Sequence, residues 1–297
     1  MQHIEFFDID HFEHNYHRVQ PPASLAHFID FFWETKFDHL WEQYPNGFSD
    51  ALFPNIGYTY LVNLGTPFIM QVDEKQTQMK TDGFLPRHQS IECHHRPGNI
   101  LFGIKFKISP VIFEKKINFS EYKESIFPLS YLMDKKVLDK VKQCENFDER
   151  VKVLVPYFES MIRESDGSPH PVKIVSQILE SCNRDNSFDI PIETLAKNYG
   201  ISSRTLQRYF EISTSLSSKK TLQILRVRKA VAQIAADPAA FDHKAYGYYD
   251  YSHFYKHLKQ FLHKSTITKL KPHLDLLSKL RKEITPGKSS LRGTKRS

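Results

Sequence analysis

One short segment divides the 297-residue sequence into two halves of different character. Residues 165–169 read Ser-Asp-Gly-Ser-Pro, which is the composition of a linker. Residues 1–169, which include this segment, carry a net charge of −6, and residues 170–297 carry +13. Short runs of alternating apolar residues lie mainly in the first half, whereas the second half has helical periodicity throughout. A chain of this length and pattern is expected to fold as two domains, of which only the second is basic.

The charge difference indicates a polyanionic partner for the basic half. Nucleic acid is the first candidate and an anionic membrane surface is the second. No sequence segment has the basic polar face and wide apolar face of a membrane-surface helix. No run approaches the ~18 apolar residues of a spanning helix. No secretory signal pattern is seen. The three cysteines are odd in number and far apart, as free thiols are. We therefore expect a cytoplasmic protein without a membrane partner.

The acidic half is predicted to contain strands between helical segments. Apolar residues from Leu25 to Phe32 recur at helical spacing after Ser24, which predicts a capped helix there. Residues 58–64 and 102–108 alternate in a way that predicts strands, and in the second of them Lys105 and Lys107 indicate one buried and one wet face. Helical patterning returns from 131 to 163 and predicts two helices.

The basic half begins with a helix-turn-helix pattern. A helix is predicted from Pro171 to Cys182, and a second helix follows Asp189 and ends in a tight turn at Gly200. Ser202 then caps a third helix. Its apolar pair faces the core at i and i+4, which leaves Ser203, Arg204, Gln207 and Arg208 facing outward. Because arginine can bind guanine bidentately and glutamine can bind adenine, this face suits the major groove of DNA.

A similar unit follows farther along the chain. Residues 219–235 are predicted to form a long helix with a basic stripe made of Lys219, Lys220, Arg226, Arg228 and Lys229. Gly247 then supplies a turn, Asp250 caps the next helix, and Phe254 and Leu258 repeat the apolar pair of the first unit. The outward residues of this helix are Tyr251, Ser252, Tyr255 and Lys256. Two such units joined by a rigid helix can enter successive major grooves, ~34 Å apart.

Residues 170–275 resemble the DNA-binding domain of the AraC/XylS family of bacterial transcription regulators. The resemblance rests on four segments in order, which are Leu195-Ala196, 202–210, 226–230 and 247–254. It implies seven helices, two helix-turn-helix units and DNA binding by both recognition helices. The base readers that it implies are Arg204, Gln207 and Arg208 in the first unit and Tyr251, Ser252, Tyr255 and Lys256 in the second.

The sequence departs from the family pattern at three places. The family usually has a Gly-x-Ser-Pro-like turn after each recognition helix, whereas residues 215–218 and 263–266 contain neither glycine nor proline. Asp242-His243 stands before Gly247, where the family buries an apolar pair. The second unit is therefore expected to be shortened or packed differently.

The acidic half resembles, on shorter motifs, the β-rich cupin-like domain that precedes such DNA-binding domains. The motifs are Pro54, residues 61–65, Leu85-Pro86 and residues 103–107. In regulators that domain senses a ligand or mediates pairing, so the resemblance implies a small-molecule effector and a homodimer. If the protein is a transcription regulator, RNA polymerase is a further expected partner.

Cupin enzymes bind a metal ion through histidines, which makes the cluster from His88 to His95 the alternative site. Adjacent His94 and His95 point to opposite faces of a strand, so they cannot both ligate one ion from it. Glu92 and His94 share a face, and His88 lies on that face only if the strand runs unbroken, in which case the three could bind one metal ion. Cys93 is expected to be a buried, inert thiol. No phosphate-cradling glycine loop or nucleophile elbow is present in the sequence. We therefore predict no catalytic residue, no cofactor and no metal.

These observations together predict an α+β protein. A β-rich, cupin-like sensing or dimerisation domain is expected over residues 1–168, an all-α domain with two helix-turn-helix units over 169–282, and a basic flexible tail over 283–297. The predicted function is that of a sequence-specific transcription regulator, activator or repressor. The alternative is a metal-dependent cupin-type enzyme fused to a DNA-binding module.

Overall fold

The computed structural model describes residues 5–6, 15–72, 75–88, 90–109, 126–164, 170–236 and 241–261. Within them, antiparallel sheets come first and helices follow, which confirms the predicted fold class. The predicted linker at 165–169 and the predicted tail lie outside the described residues. Among the described helices, none combines the length and the apolar character that crossing a membrane requires.

Eleven strands form two antiparallel sheets in the part of the chain that the structure describes. The smaller sheet has the order β1-β4-β9-β6-β7 and the larger one β11-β8-β5-β10-β3-β2. The strands are β1 Glu5–Phe6, β2 Tyr16–Val19, β3 Ile29–Lys36, β4 Phe48–Leu52, β5 Tyr58–Asn63, β6 Phe68–Val72, β7 Lys75–Met79, β8 Gly83–Pro86, β9 Ile91–His95, β10 Ile100–Phe106 and β11 Phe127–Pro128.

The helices follow the sheets. They are α1 Lys135–Gln143, α2 Phe147–Glu164, α3 His170–Asp185, α4 Ile192–Asn198, α5 Ser203–Thr214, α6 Ser218–Ala236 and α7 Tyr251–Phe261, and 3₁₀ turns lie at Asp38–Leu40, Leu129–Tyr131 and His243–Tyr246. The two helices predicted within 131–163 and the long helix over 219–235 are confirmed as α1, α2 and α6.

The larger sheet is covered on both faces. Its one face, with Tyr60, Phe102 and Ile104, packs against α1 and α2. Its other face, with Leu61 and Leu101, packs against the smaller sheet. The prediction of a wet face on the strand at 102–108 is therefore wrong: even Lys105 on β10 is only 1% exposed. Strands that are covered on both faces lose the alternation that marks a half-exposed sheet.

The predicted helix after Ser24 is wrong as well. Residues 23–28 form turns, and the apolar run continues as strand β3. This strand pairs with β10 on one side and β2 on the other, and only its last residue is exposed. A short apolar run fits a buried strand as well as a helix, and here the available strand partners decide between them.

Gly103 in the centre of β10 leaves room for the indole ring of Trp33. It lies opposite Trp33 of β3, and a Cβ atom added there would be 2.1 Å from Cε2 of the indole. We expect Gly103→Ala to lower the free energy of unfolding by roughly 1–3 kcal/mol, because an overpacked core forces neighbours off their rotamers. Urea denaturation of the full chain measures this loss.

A double-mutant cycle with Trp33→Leu tests the cause. If the indole is the obstacle, the pair of substitutions costs less than the sum of the two single ones. Strict additivity would contradict the packing argument.

The β-sheet region and the helical region share a packed interface. Phe53 and Ile56, from the segment between β4 and β5, belong to the helical core. Arg228 of α6 donates a buried hydrogen bond from Nη1 to the carbonyl of Pro54 at 2.6 Å, and the Ser109 amide donates to the carbonyl of Ser213 at 2.7 Å. The first helix-turn-helix unit is thereby held directly against the β-domain.

Candidate nucleic-acid interface

The first helix-turn-helix unit forms as the sequence predicts. Gly200 adopts φ +65° in the turn after α4, which is a left-handed conformation that glycine enters without a steric penalty. The Ser202 hydroxyl accepts a hydrogen bond from the Thr205 amide at 3.1 Å and so caps α5. Leu206 and Phe210 are fully buried. The predicted turn, cap and apolar pair are thus confirmed.

The outward face of α5 is divided between exposed and half-buried side chains. Arg204 and Arg208 are exposed, one helical turn apart, whereas Ser203 and Gln207 are half-buried. The Arg208 guanidinium lies 5.9 Å from the centre of the Tyr209 ring, a loose cation–π contact. The two arginines therefore present ten N–H donors of forked geometry on one face of the helix.

Gln207 makes its hydrogen bonds within the protein. Its Nε2 donates to Glu211 at 3.0 Å, and its Oε1 accepts from both the amide and the hydroxyl of Ser218, at 3.3 and 2.8 Å. The side chain therefore connects α5 to the first turn of α6. The sequence suggested a base reader at this position because spacing reveals an outward direction but not a neighbouring helix end.

The turn after α5 forms without the glycine that the AraC/XylS pattern has at this position. Ser215 itself takes the left-handed conformation at φ +59°, and its amide donates to the Glu211 carbonyl at 2.8 Å. The Thr214 hydroxyl donates to the Phe210 carbonyl at 2.8 Å and contacts the Thr221 hydroxyl at 3.1 Å. Hydroxyl groups thus satisfy the backbone of this turn.

The predicted basic stripe on α6 does not form, because this helix is surrounded by packed neighbours. Arg226 is buried, donates from Nε to the Tyr246 carbonyl at 2.6 Å, and stacks 3.8 Å from the centre of the Tyr248 ring. Arg228 is buried in the domain interface. Lys220 lies 4.2 Å from the Phe261 ring centre, where burial lowers its pKa. Of the five predicted residues only Lys219 is exposed.

The second unit is shortened, as the departures in the sequence predicted. Its first helix is a single 3₁₀ turn over His243–Tyr246, capped by the Asp242 carboxylate, which accepts from the Lys244 amide at 2.9 Å. Gly247 follows at φ +72°, and the Asp250 carboxylate accepts from the His253 amide at 2.7 Å. Asp242 is therefore a cap rather than a core residue. The predicted positions 263–266 lie outside the described residues.

The outward residues of α7 are all exposed. Tyr251 and Tyr255 are 51% and 52% exposed, and Ser252 and Lys256 lie on the same side, while Phe254 and Leu258 are buried. Tyr249, in the turn before the helix, is 86% exposed and was not predicted as part of this face. Its exposure could have been inferred from its position in the turn between Gly247 and the start of α7.

His257 on α7 is kept neutral by its surroundings. Burial and, to a smaller extent, positive charge on His253, Arg226, Lys220 and Lys256 together lower its pKa to about 4. The folded-state pKa is below the ordinary value of 6.5, so the unfolded chain binds this proton more tightly. The stability that the neutral ring supports is present above pH 6.5 and is lost as the pH falls towards about 4.

We expect the free energy of unfolding of wild-type protein to fall across this window more steeply than that of His257→Gln, which removes the titrating group. Urea titrations at several pH values between 6.5 and 4 measure the difference in slope. Parallel pH profiles for the two proteins would contradict the assignment to His257.

The histidines of β9 confirm the predicted opposition of faces. The strand alternates, with Cys93 and His95 buried inside the β-domain and Glu92 and His94 half-exposed outside. His95 therefore lies apart from the face that Glu92 and His94 share. Asp50 of β4, which the sequence did not suggest, points inward beside Cys93.

Comparisons with known proteins give distant structural similarities only. No protein-family model and no curated protein matches the chain. An apo lysine-to-alanine variant of ToxT from Vibrio cholerae aligns at 11% identity over 87% of this chain and 100% of that chain, with a TM-score of 0.45. Another ToxT structure aligns at 10% identity over 89% and 97%, with a TM-score of 0.44. The AraC-like transcriptional activator CuxR aligns at 13% identity over 75% and 89%, with a TM-score of 0.28. At such scores the function has to be argued from this chain's own residues.

Proposed function

We propose that this protein is a sequence-specific DNA-binding transcription regulator of the AraC/XylS type, whose helices α5 and α7 enter successive major grooves. The observation that carries the proposal is the repeated unit. In both copies a left-handed glycine precedes a side-chain-capped helix that buries an apolar pair and exposes its opposite face. Both helices lie against α6, which joins them. This is the arrangement that a double helix-turn-helix protein requires.

The two units offer different chemistry to DNA. Arg204 and Arg208 present forked donors that suit guanine edges, so α5 is proposed to read bases. Tyr251, Ser252, Tyr255 and Lys256 suit phosphate oxygens better, so α7 is proposed to fix position on the duplex. Ser203 is proposed as a further contact of α5.

Gln207 is proposed to position α5 rather than to read adenine. Its amide would have to give up bonds to Glu211 and Ser218 to reach a base. We expect Gln207→Ala to weaken binding to all sequences alike and to lower stability by about 1 kcal/mol, the usual worth of a lost hydrogen bond. Selection of bound sequences from a randomised duplex library measures the base preference. A change in the preferred base at one position would instead assign Gln207 to readout.

The wider assignment follows from the same proposal. The β-rich domain over 1–168 is proposed to bind a small-molecule effector and to pair two copies of the chain, and residues 169–282 to bind duplex DNA. Residues 283–297 are proposed to be a basic flexible tail. The regulator is also proposed to contact RNA polymerase and to be located in the cytoplasm. No enzymatic activity is proposed. A cupin-type metalloenzyme fused to a DNA-binding module remains the second candidate, favoured only by the inward Asp50, Cys93 and His95.

The test uses the full chain, because Phe53 and Ile56 are part of the helical core and would be lost from a C-terminal fragment. We expect Lys256→Ala to weaken binding to all duplexes about equally and to reduce the slope of log affinity against log salt by about 0.9, the contribution of one phosphate. Fluorescence anisotropy over a salt series measures both quantities.

Lys136→Ala is the matched control, since Lys136 is an exposed lysine of α1 in the other domain. It should leave the slope unchanged. Salt-independent binding of the wild-type chain, or an equal effect of the two lysines, would contradict the proposed function.

A further inference from the structure

Three potential metal ligands of different chemistry meet inside the β-domain. Asp50 of β4 and Cys93 of β9 are direct cross-strand partners, and His95 lies two residues farther along β9 on the same face. The three residues are 3–6% exposed. One oxygen, one sulfur and one nitrogen of the three lie within 4.8 Å of one another. Antiparallel register alone brings them together, from positions more than forty residues apart.

The hydrogen bonds of His95 leave a place for a cation. Its Nδ1 lies 2.6 Å from Oδ1 of Asn99, whose Nδ2 donates to the Thr66 carbonyl at 3.2 Å. The amide is thereby oriented with its oxygen towards the imidazole, so Nδ1 is the donor. Nε2 faces a carboxylate oxygen of Asp50 at 3.2 Å. Two acceptor atoms at this distance need a proton or a metal ion between them.

The surroundings of His95 resemble those of metal-bound histidines. Such a ring usually donates its second N–H to a fixed oxygen, as Nδ1 does here to Asn99. Phe37, Phe48 and Phe68 surround the imidazole, with ring centres 4.4, 5.1 and 5.4 Å away. The aromatic rings pack around the imidazole and hold it in place.

We propose that Asp50, Cys93 and His95 bind one divalent metal ion of the zinc class within the β-domain. Thiolate and imidazole ligands select borderline metals such as zinc over magnesium or calcium. Three protein ligands would leave a fourth position for water, and all three residues line one cavity together with Arg87. Binding requires the Cys93 thiolate and therefore releases its proton. The proposal does not depend on DNA binding, and it replaces the expectation of no metal, which considered only ligands from one strand.

Cobalt(II) is the probe, because a thiolate ligand gives it an intense near-ultraviolet charge-transfer band. Full-length protein freed of metal by a chelator is titrated with cobalt(II). We expect the band to saturate at one equivalent and to disappear when zinc is added. It should be absent from Cys93→Ser and His95→Gln.

Two variants serve as matched controls, and both should keep the band. Cys144→Ser removes a thiol outside the cluster, and His94→Gln changes the neighbouring histidine on the outer face of the same strand. A wild-type chain without the band, or an unchanged band in Cys93→Ser, would overturn the proposal.

X-ray absorption on the zinc-loaded wild-type chain needs no variant and so stands even if a substitution unfolds the domain. One sulfur neighbour at about 2.3 Å supports the site. A shell of nitrogen and oxygen alone refutes it.

Discussion

Alanine at both Arg204 and Arg208 is expected to remove most of the protein's discrimination between DNA sequences. Both side chains are exposed on α5 and present forked donors on one face. Each good bidentate contact with a base is worth about 1–3 kcal/mol of discrimination, which corresponds to roughly 5- to 150-fold in relative affinity. The measurement is binding of each single variant and of the double variant to a randomised duplex library.

Arg184→Ala is the matched control for these substitutions. Arg184 is also exposed and lies on α3, where it pairs with Asp185. Its loss should leave the preferred sequence unchanged. If Arg208→Ala lowers affinity uniformly while Lys256→Ala changes the preferred bases, the proposed roles of α5 and α7 are reversed.

Among the substitutions named above, Phe210→Ala is expected to lower the free energy of unfolding most, by about 3–5 kcal/mol. The ring is fully buried in the helical core, so its removal leaves a cavity that the neighbouring helices fill only in part. Chemical denaturation of the full chain measures the loss. Because Phe53 and Ile56 share this core, the variant should also loosen the contact between the domains.

Tyr255→Ala provides the comparison for Phe210→Ala. Tyr255 is an aromatic residue of α7 and is 52% exposed, so its removal should change stability by no more than about 0.5 kcal/mol. A smaller loss for Phe210→Ala than for Tyr255→Ala would contradict the packing of α5.

The features of the candidate interface that could be predicted from sequence are those with local causes. Gly200 and Gly247 mark turns because a left-handed residue favours glycine, and Ser202 and Asp250 mark helix starts because their side chains reach an amide three residues away. The apolar pairs of α5 and α7 follow from helical spacing alone. Each of these interactions spans four residues or fewer, so the sequence contains all the information that they need.

Other features depend on what packs against a segment. Tertiary contacts, not composition, bury Arg226 against Tyr248 and Arg228 against Pro54, and they turn Gln207 towards the start of α6. No periodicity distinguishes an arginine that faces water from one that faces another domain.

The sheets show the same limit most clearly. The run from Leu25 to Phe32 has helical spacing, yet from Ile29 it becomes a strand because β2 and β10 offer backbone partners on both sides. Asp50 and Cys93 are neighbours only because β4 and β9 pair in one register. The sequence by itself determined that a β-rich region precedes a helical one, and it determined the turns, the helix caps and the apolar pairs of α5 and α7. The tertiary structure alone decided the burial of Arg226 and Arg228 and the meeting of Asp50 with Cys93 and His95, since these depend on contacts between residues far apart in the chain.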